Sequence, residues 1–207
     1  MAQPVFVVQT STANTASVLA GLRRCGTDPC LTEDPDVVRR AERVVLPGVG
    51  ALASAMDHLD SIGMTSALTE RFLQGLPTLA VCLGLQLLAS GSQESPGRRA
   101  LGIFPGQAQR FPASVKVPQL GWNRIVAQES CRLLRDGYAY FANSYCLKQA
   151  PRGWRAAFAD YGGSFVAALE RGDVLACQFH PELSSAFGLD LLKRWLTTSA
   201  LKGVLPC

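Results

Sequence analysis

Histidine is scarce in this chain of 207 residues: there are two, His58 and His180. A mechanism that needs an imidazole therefore has two candidates. Cysteine is more frequent, at seven, but the number is odd and no C-x-x-C pair occurs. That spacing excludes a dense disulfide framework and the usual zinc modules, and a chain of this length needs no staples. Reduced thiols in a cytosol fit best. Long runs of one charge are also lacking. Lys and Arg are scattered singly or in pairs such as Arg23-Arg24, Arg39-Arg40 and Arg98-Arg99, which gives no nucleic-acid arm. No apolar run approaches the roughly 18 residues that suggest a membrane span. The start runs into Pro4-Val5-Phe6-Val7-Val8 rather than a basic, signal-like segment. Cys207 is the last residue, whereas a prenylated cysteine sits fourth from the end. The expectation is a cytoplasmic, globular chain with no membrane or nucleic-acid partner. With 48% hydrophobic and 17% charged residues, it can carry an apolar face for a partner.

Short apolar runs alternate with amphipathic stretches through the first half. Residues 5–8, Val44–Leu46 and Thr78–Val81 read as buried strands. Thr15–Arg24, 51–59, Met64–Gln74 and 83–89 carry helical spacing, and Asp34-Pro35 is an N-cap followed by proline at the first helical position. Such alternation implies a parallel sheet covered by helices. The second half reads as strands over 107–111, 122–126, 138–142, 154–159, 165–170 and 174–179, with Gly172-Asp173 as a hairpin turn. A helix over 186–196 follows, and 90–99 reads as a polar surface loop. The expected architecture is one α/β domain over 1–207, a parallel core extended by antiparallel strands.

The strand Thr78–Val81 runs into Cys82-Leu83-Gly84 and then a helix, the context of a nucleophile elbow with cysteine in place of serine. The turn pushes the thiol out at the C-terminal edge of a strand. The following helix aims its N-terminal N–H groups at the sulfur, which favours the reactive thiolate. The competing reading is a small buried core residue. His180 ends an apolar strand and is followed by Pro181-Glu182, so it reaches the same sheet edge. Glu182 can bend back to the second ring nitrogen and orient the base. His58 sits in the helical pattern and reads as a surface histidine. Cys177 with His180 lacks further ligands for a zinc site.

These motifs carry a resemblance. Ala80-Val81-Cys82-Leu83-Gly84 followed by His180-Pro181-Glu182 resembles the class I glutamine amidotransferases. The resemblance implies a flavodoxin-like α/β fold and a Cys82–His180–Glu182 triad that hydrolyses glutamine. Leu46-Pro47-Gly48-Val49-Gly50, Gly121-Trp122-Asn123, Ser144-Tyr145 and Gln178-Phe179-His180-Pro181-Glu182 are similar to the glutaminase subunits of imidazole glycerol phosphate synthases. That branch implies glutamine as substrate and a separate (β/α)₈ cyclase as heterodimer partner, which uses the ammonia in histidine biosynthesis. No cofactor or metal is implied. Leu83 and the loop Gly48, Val49 and Gly50 are expected to supply oxyanion donors. The resemblance places Gly50, Gln86, Ser144 and Tyr145 on the glutamine, and Trp122 and Asn123 on the cyclase. Three positions depart from the family, which often has histidine where this chain has Gln119 and Asn143, and a basic residue where it has Leu183. All three are expected on the interface side of the pocket. Gly121-Trp122-Asn123 argues against other amidotransferase branches. An intact triad argues against a non-catalytic module, and Gln86 with the small-residue loop favours glutamine over another amide or ester.

Overall fold

A computed structural model describes residues 4–10 and 15–198. The tail Thr197–Cys207, whose weak alternation, Gly203 and Pro206 suggest irregular backbone, lies outside the described residues from 199 on. The strands are β1 (Pro4–Val8), β2 (Asp28–Thr32), β3 (Val44–Leu46), β4 (Thr78–Val81), β5 (Gly91–Ser92), β6 (Gln107–Arg110), β7 (Gln119–Ala127), β8 (Gly137–Asn143), β9 (Tyr145–Cys146), β10 (Arg155–Asp160), β11 (Ser164–Arg171) and β12 (Val174–Cys177). The helices are α1 (Thr15–Arg24), α2 (Pro35–Arg40), α3 (Leu52–Ser61), α4 (Met64–Gln74), α5 (Leu83–Leu87) and α6 (Ser185–Leu196), with a 3₁₀ turn at Pro181–Leu183.

A nine-stranded sheet runs β2-β1-β3-β4-β12-β11-β10-β7-β8. The pairs from β2 to β12 are parallel, and those from β12 to β8 are antiparallel. β3, β4 and β12 are buried at every position, as strands covered on both faces must be. One face packs the apolar sides of α2, α3, α4 and α5, including Val38, Leu52, Leu59, Phe72 and Leu85. The other packs Val18 and Leu22 of α1 with Leu191, Leu192 and Trp195 of α6. A smaller sheet, β5-β6-β9, lies apart from the main one.

Local chemistry explains most boundaries. Asp34 Oδ1 accepts from the Asp36 N–H at 2.8 Å, and Pro35 opens α2. The β11–β12 hairpin closes through Gly172 at φ +60°, with Arg171 opposite Val174. Three expectations change. β2 was not legible because it is an edge strand, mostly exposed, held by its ladder to β1 rather than by apolar alternation. The stretch 90–99 is not all surface loop, since Gly91 and Ser92 are buried and pair with Gln107 and Ala108. The strand expected over 174–179 leaves the sheet at Cys177, so Gln178 and Phe179 form a bridge that delivers His180 to the sheet edge.

Candidate active site

β4 and β12 are parallel neighbours in register, with Val81 opposite Cys177. Both chains therefore leave the sheet at one edge, and Cys82 and His180 emerge side by side. Cys82 has φ +55°, one of two non-glycine residues with positive φ among the described residues. That backbone is costly for a residue with a Cβ. Its N–H donates to the Cys177 carbonyl at 2.7 Å, which holds the elbow against β12. Gly84 lets α5 close onto the end of β3, where a Cβ would stand 2.3 Å from the Leu46 carbonyl oxygen. The turn geometry expected of Cys82-Leu83-Gly84 is present.

Cys82 and His180 line one cavity of about 330 Å³. His180 Nδ1 meets Glu182 Oε1 at 2.9 Å, with both side chains buried. Burial is the largest single influence on His180 and acts to lower its pKa. The interactions with Cys82 and Glu182 outweigh it and raise the imidazole to about 10. The ring thus favours the protonated form at neutral pH. The 3₁₀ turn that carries Glu182 is wedged between two helices at glycines. A Cβ on Gly21 of α1 would lie 2.8 Å from Glu182 Cβ, and one on Gly188 of α6 would lie 1.9 Å from the Pro181 carbonyl oxygen. Ser184 Oγ donates to the His180 carbonyl at 2.6 Å and accepts from the Tyr140 N–H at 2.9 Å, tying the turn to β8.

The cavity also contains Val49, Gly50, Leu83, Gln86, Asn143, Ser144 and Tyr145, so the residues expected around the substrate converge. One expectation needs correction. The loop was to turn an N–H inward beside the Leu83 N–H. Instead the Gly48 carbonyl faces in and accepts from the Leu83 N–H at 3.2 Å. The first N–H groups of a helix lack partners within it, and this carbonyl fills one of them. A Cβ on Gly48 would stand 2.8 Å from Leu83 Cβ, so the close approach requires glycine. The Leu83 N–H is occupied in this conformation.

Trp122 and Asn123 differ in exposure. Along β7, Leu120 and Trp122 are exposed, whereas Gln119 and Ile125 are buried. Asn123 is half-buried, and its Nδ2 donates to the Asp160 carbonyl at 2.8 Å. Trp122 is 55% exposed, with Leu120 and Tyr138 beside it at 65% and 61%. Leu120 also lines the cavity, so the apolar patch continues into its mouth. Of the three departures from the family, Leu183 is exposed. Gln119 and Asn143 face each other across the β7–β8 ladder and are buried, and Asn143 lines the cavity. His58 lies on α3, where Nε2 meets the Gln9 carbonyl at 3.2 Å, and it takes no part in the cavity. Cys177 is fully buried, which raises its thiol well above the ordinary range.

Sequence reasoning missed Gln178. It is fully buried, its Nε2 lies 3.8 Å from Cys82 Sγ, and its Oε1 accepts from Gln86 Nε2 at 3.1 Å. A polar residue within a run of buried apolar ones was the available signal. Ala142 was also missed; its carbonyl lies 3.9 Å from the same sulfur.

Known proteins bear on this geometry. The family model for class-I glutamine amidotransferases matches residues 14–197. The chain is 39% identical to imidazole glycerol phosphate synthase subunit HisH of Methanothermobacter thermautotrophicus over 93% of this chain and 97% of that protein. It is 41% identical to subunit HisH of Herpetosiphon aurantiacus over 82% of each. Among solved structures, a glutamine amidotransferase superposes with a TM-score of 0.74 at 18% identity, covering 93% of this chain and 96% of that one, which speaks to the fold. The chain belongs to the class-I glutamine amidotransferase family and, within it, to the HisH subunits of imidazole glycerol phosphate synthase.

Proposed function

We propose that this chain hydrolyses the side-chain amide of glutamine through a Cys82 thioester and passes the ammonia to a (β/α)₈ cyclase that builds imidazole glycerol phosphate for histidine biosynthesis. The observation that carries the reading is one cavity lined by Cys82, on its strained elbow, and by a His180 whose Nδ1 is held by Glu182 at 2.9 Å. Membership of the HisH family supports the substrate and the pathway.

The Cys82 thiolate attacks the amide carbon. His180, charged through its two anionic partners, gives its proton to the departing amine and then takes one from water to hydrolyse the thioester. Glu182 holds the ring and balances its charge. Gly50, Gln86, Ser144 and Tyr145 seat the glutamine; they all line the cavity. Gln86 uses Nε2 on the Tyr145 carbonyl and on Gln178, which leaves its Oε1 as the group to face a donor on the substrate. The developing oxyanion requires the Leu83 N–H, so the Gly48 carbonyl must swing away before chemistry. A missing oxyanion donor costs about 10²–10³ in rate. This loop therefore sets a low basal rate that a docked partner can lift.

The docking face is the strip Leu120, Trp122 and Tyr138 at the cavity mouth, so ammonia leaves toward the partner. The reading includes one domain over the whole chain, in a cytoplasmic setting. A sheet shared by β1 and β12 supports the first, and the second agrees with the lack, among the described residues, of a helix long and apolar enough to cross a membrane. Ammonia release from glutamine, measured with and without the cyclase, tests the proposal. Release should rise sharply with the cyclase and vanish in Cys82→Ala. Turnover that survives Cys82→Ala would overturn the mechanism.

A further inference from the structure

We propose that Gln178 is a catalytic residue: its side-chain N–H donates to the Cys82 sulfur and favours the anionic nucleophile. The inference rests on Cys82 being the nucleophile.

The polarity of this amide is set from outside. The Tyr145 carbonyl oxygen can only accept, and Gln86 Nε2 faces it at 3.0 Å. The same Nε2 stands 3.1 Å from Gln178 Oε1, which must therefore be the accepting end. Gln178 Nε2 is thereby turned to the sulfur, 3.8 Å away. One backbone carbonyl thus orients two amides in series, and the series ends on the reacting atom. The backbone N–H of Gln178 is bonded to the Ala167 carbonyl at 2.8 Å, so the side chain projects from an anchored position.

Packing alone gives no reason for this residue. Its neighbours Ala176, Cys177 and Phe179 are fully buried, as Gln178 is, and an apolar side chain would fill the position without the cost of burying an amide. On its other side the sulfur lies 3.9 Å from the Ala142 carbonyl, which can accept only from the neutral thiol. The sulfur therefore sits between an acceptor that favours S–H and a donor that favours S⁻, and Gln178 offsets Ala142. The titratable groups around it are His180 in the same cavity, Glu182 behind that ring, Cys177 on the adjoining strand, and Glu94 and Tyr145 in the cavity wall. His180 is the one basic side chain in the described lining. Gln178 adds a second donor whose strength does not titrate. Because Gln86 belongs to the substrate seat and holds Gln178 in place, filling that seat also bears on the nucleophile.

The test is the pH profile of Cys82 alkylation by iodoacetamide in the assembled cyclase complex. Peptide mass spectrometry separates Cys82 from the other cysteines. Gln178→Met keeps the volume and removes the donor; Gln178→Glu keeps the shape and the bond to Gln86 while placing an acceptor at the sulfur. At neutral pH alkylation should fall about tenfold in the first and further in the second. Both rates should recover toward the parent as pH rises. Parent-like profiles in both variants, or a slowing that persists at high pH, would overturn the proposal, the latter because it reports altered packing or access. Circular dichroism and cyclase binding establish folding, and the isosteric Gln178→Glu carries the test if Gln178→Met does not fold. The readout needs no glutamine turnover. A parent that alkylates rapidly at Cys82 yet hydrolyses no glutamine would fail the functional reading and leave this inference standing.

Discussion

His180 shares its surroundings with Cys82 and Glu182, and its pH behaviour follows from them. Burial pulls its pKa down, and Cys82 and Glu182 push it to about 10. The protonated ring is the acid that releases ammonia, so activity should persist well above the ordinary histidine range and fall only as pH climbs toward that value. Removing the charge at Glu182 weakens the upward push. Glu182→Gln should therefore move the alkaline limb of the pH–rate profile to lower pH and reduce kcat by about 10–10². A limb that stays in place would assign Glu182 to packing alone. Cys82, His180 and Glu182 were legible in the sequence because scarcity left one histidine at a strand end and because the elbow has a local pattern. Gln178 was not, since its role depends on the amide of Gln86 and the carbonyl of Tyr145, far from it in the chain. Nor could the sequence give the direction in which Gly48 turns its peptide.

At the scale of elements, the site depends on helices allowed to approach too closely for a side chain. Gly21 and Gly188 clamp the turn of Glu182 from α1 and α6. Gly21→Ala should push Glu182 off its bond to His180, lowering kcat while the KM for glutamine changes little, as steady-state kinetics would register. Gly84→Ala meets the Leu46 carbonyl at 2.3 Å and should destabilise the fold by about 2–3 kcal/mol in urea denaturation. Arg71 of α4 is the opposite device. Fully buried, its guanidinium donates to the carbonyls of Val38, Ala41 and Pro77, and burial lowers it to about 10. Arg71→Leu strips these carbonyls of their donor and should cost about 3 kcal/mol or more. Periodicity gave most helices and central strands within a residue or two, because burial on both faces leaves a plain apolar record. It failed at β2, which is mostly exposed and held by its ladder, and at β5 and β9, whose two residues each are too few to carry a period.

For the whole molecule, a parallel half carries Cys82 and His180, and an antiparallel half carries the apolar strip that reaches the cavity through Leu120. Trp122 stands at the centre of that strip, its ring edge-on to Tyr140. Trp122→Ala should weaken cyclase binding about 30-fold by titration calorimetry. Asn123→Ala, with its amide spent inside the chain, should change that affinity little. The central claim concerns a covalent bond. Rapid acid quench of the cyclase complex during glutamine turnover, followed by peptide mass spectrometry, should reveal a γ-glutamyl thioester on Cys82 and on no other cysteine. Steady ammonia release with Cys82 unmodified at every quench time, or with the glutamyl group on another side chain, would contradict the account.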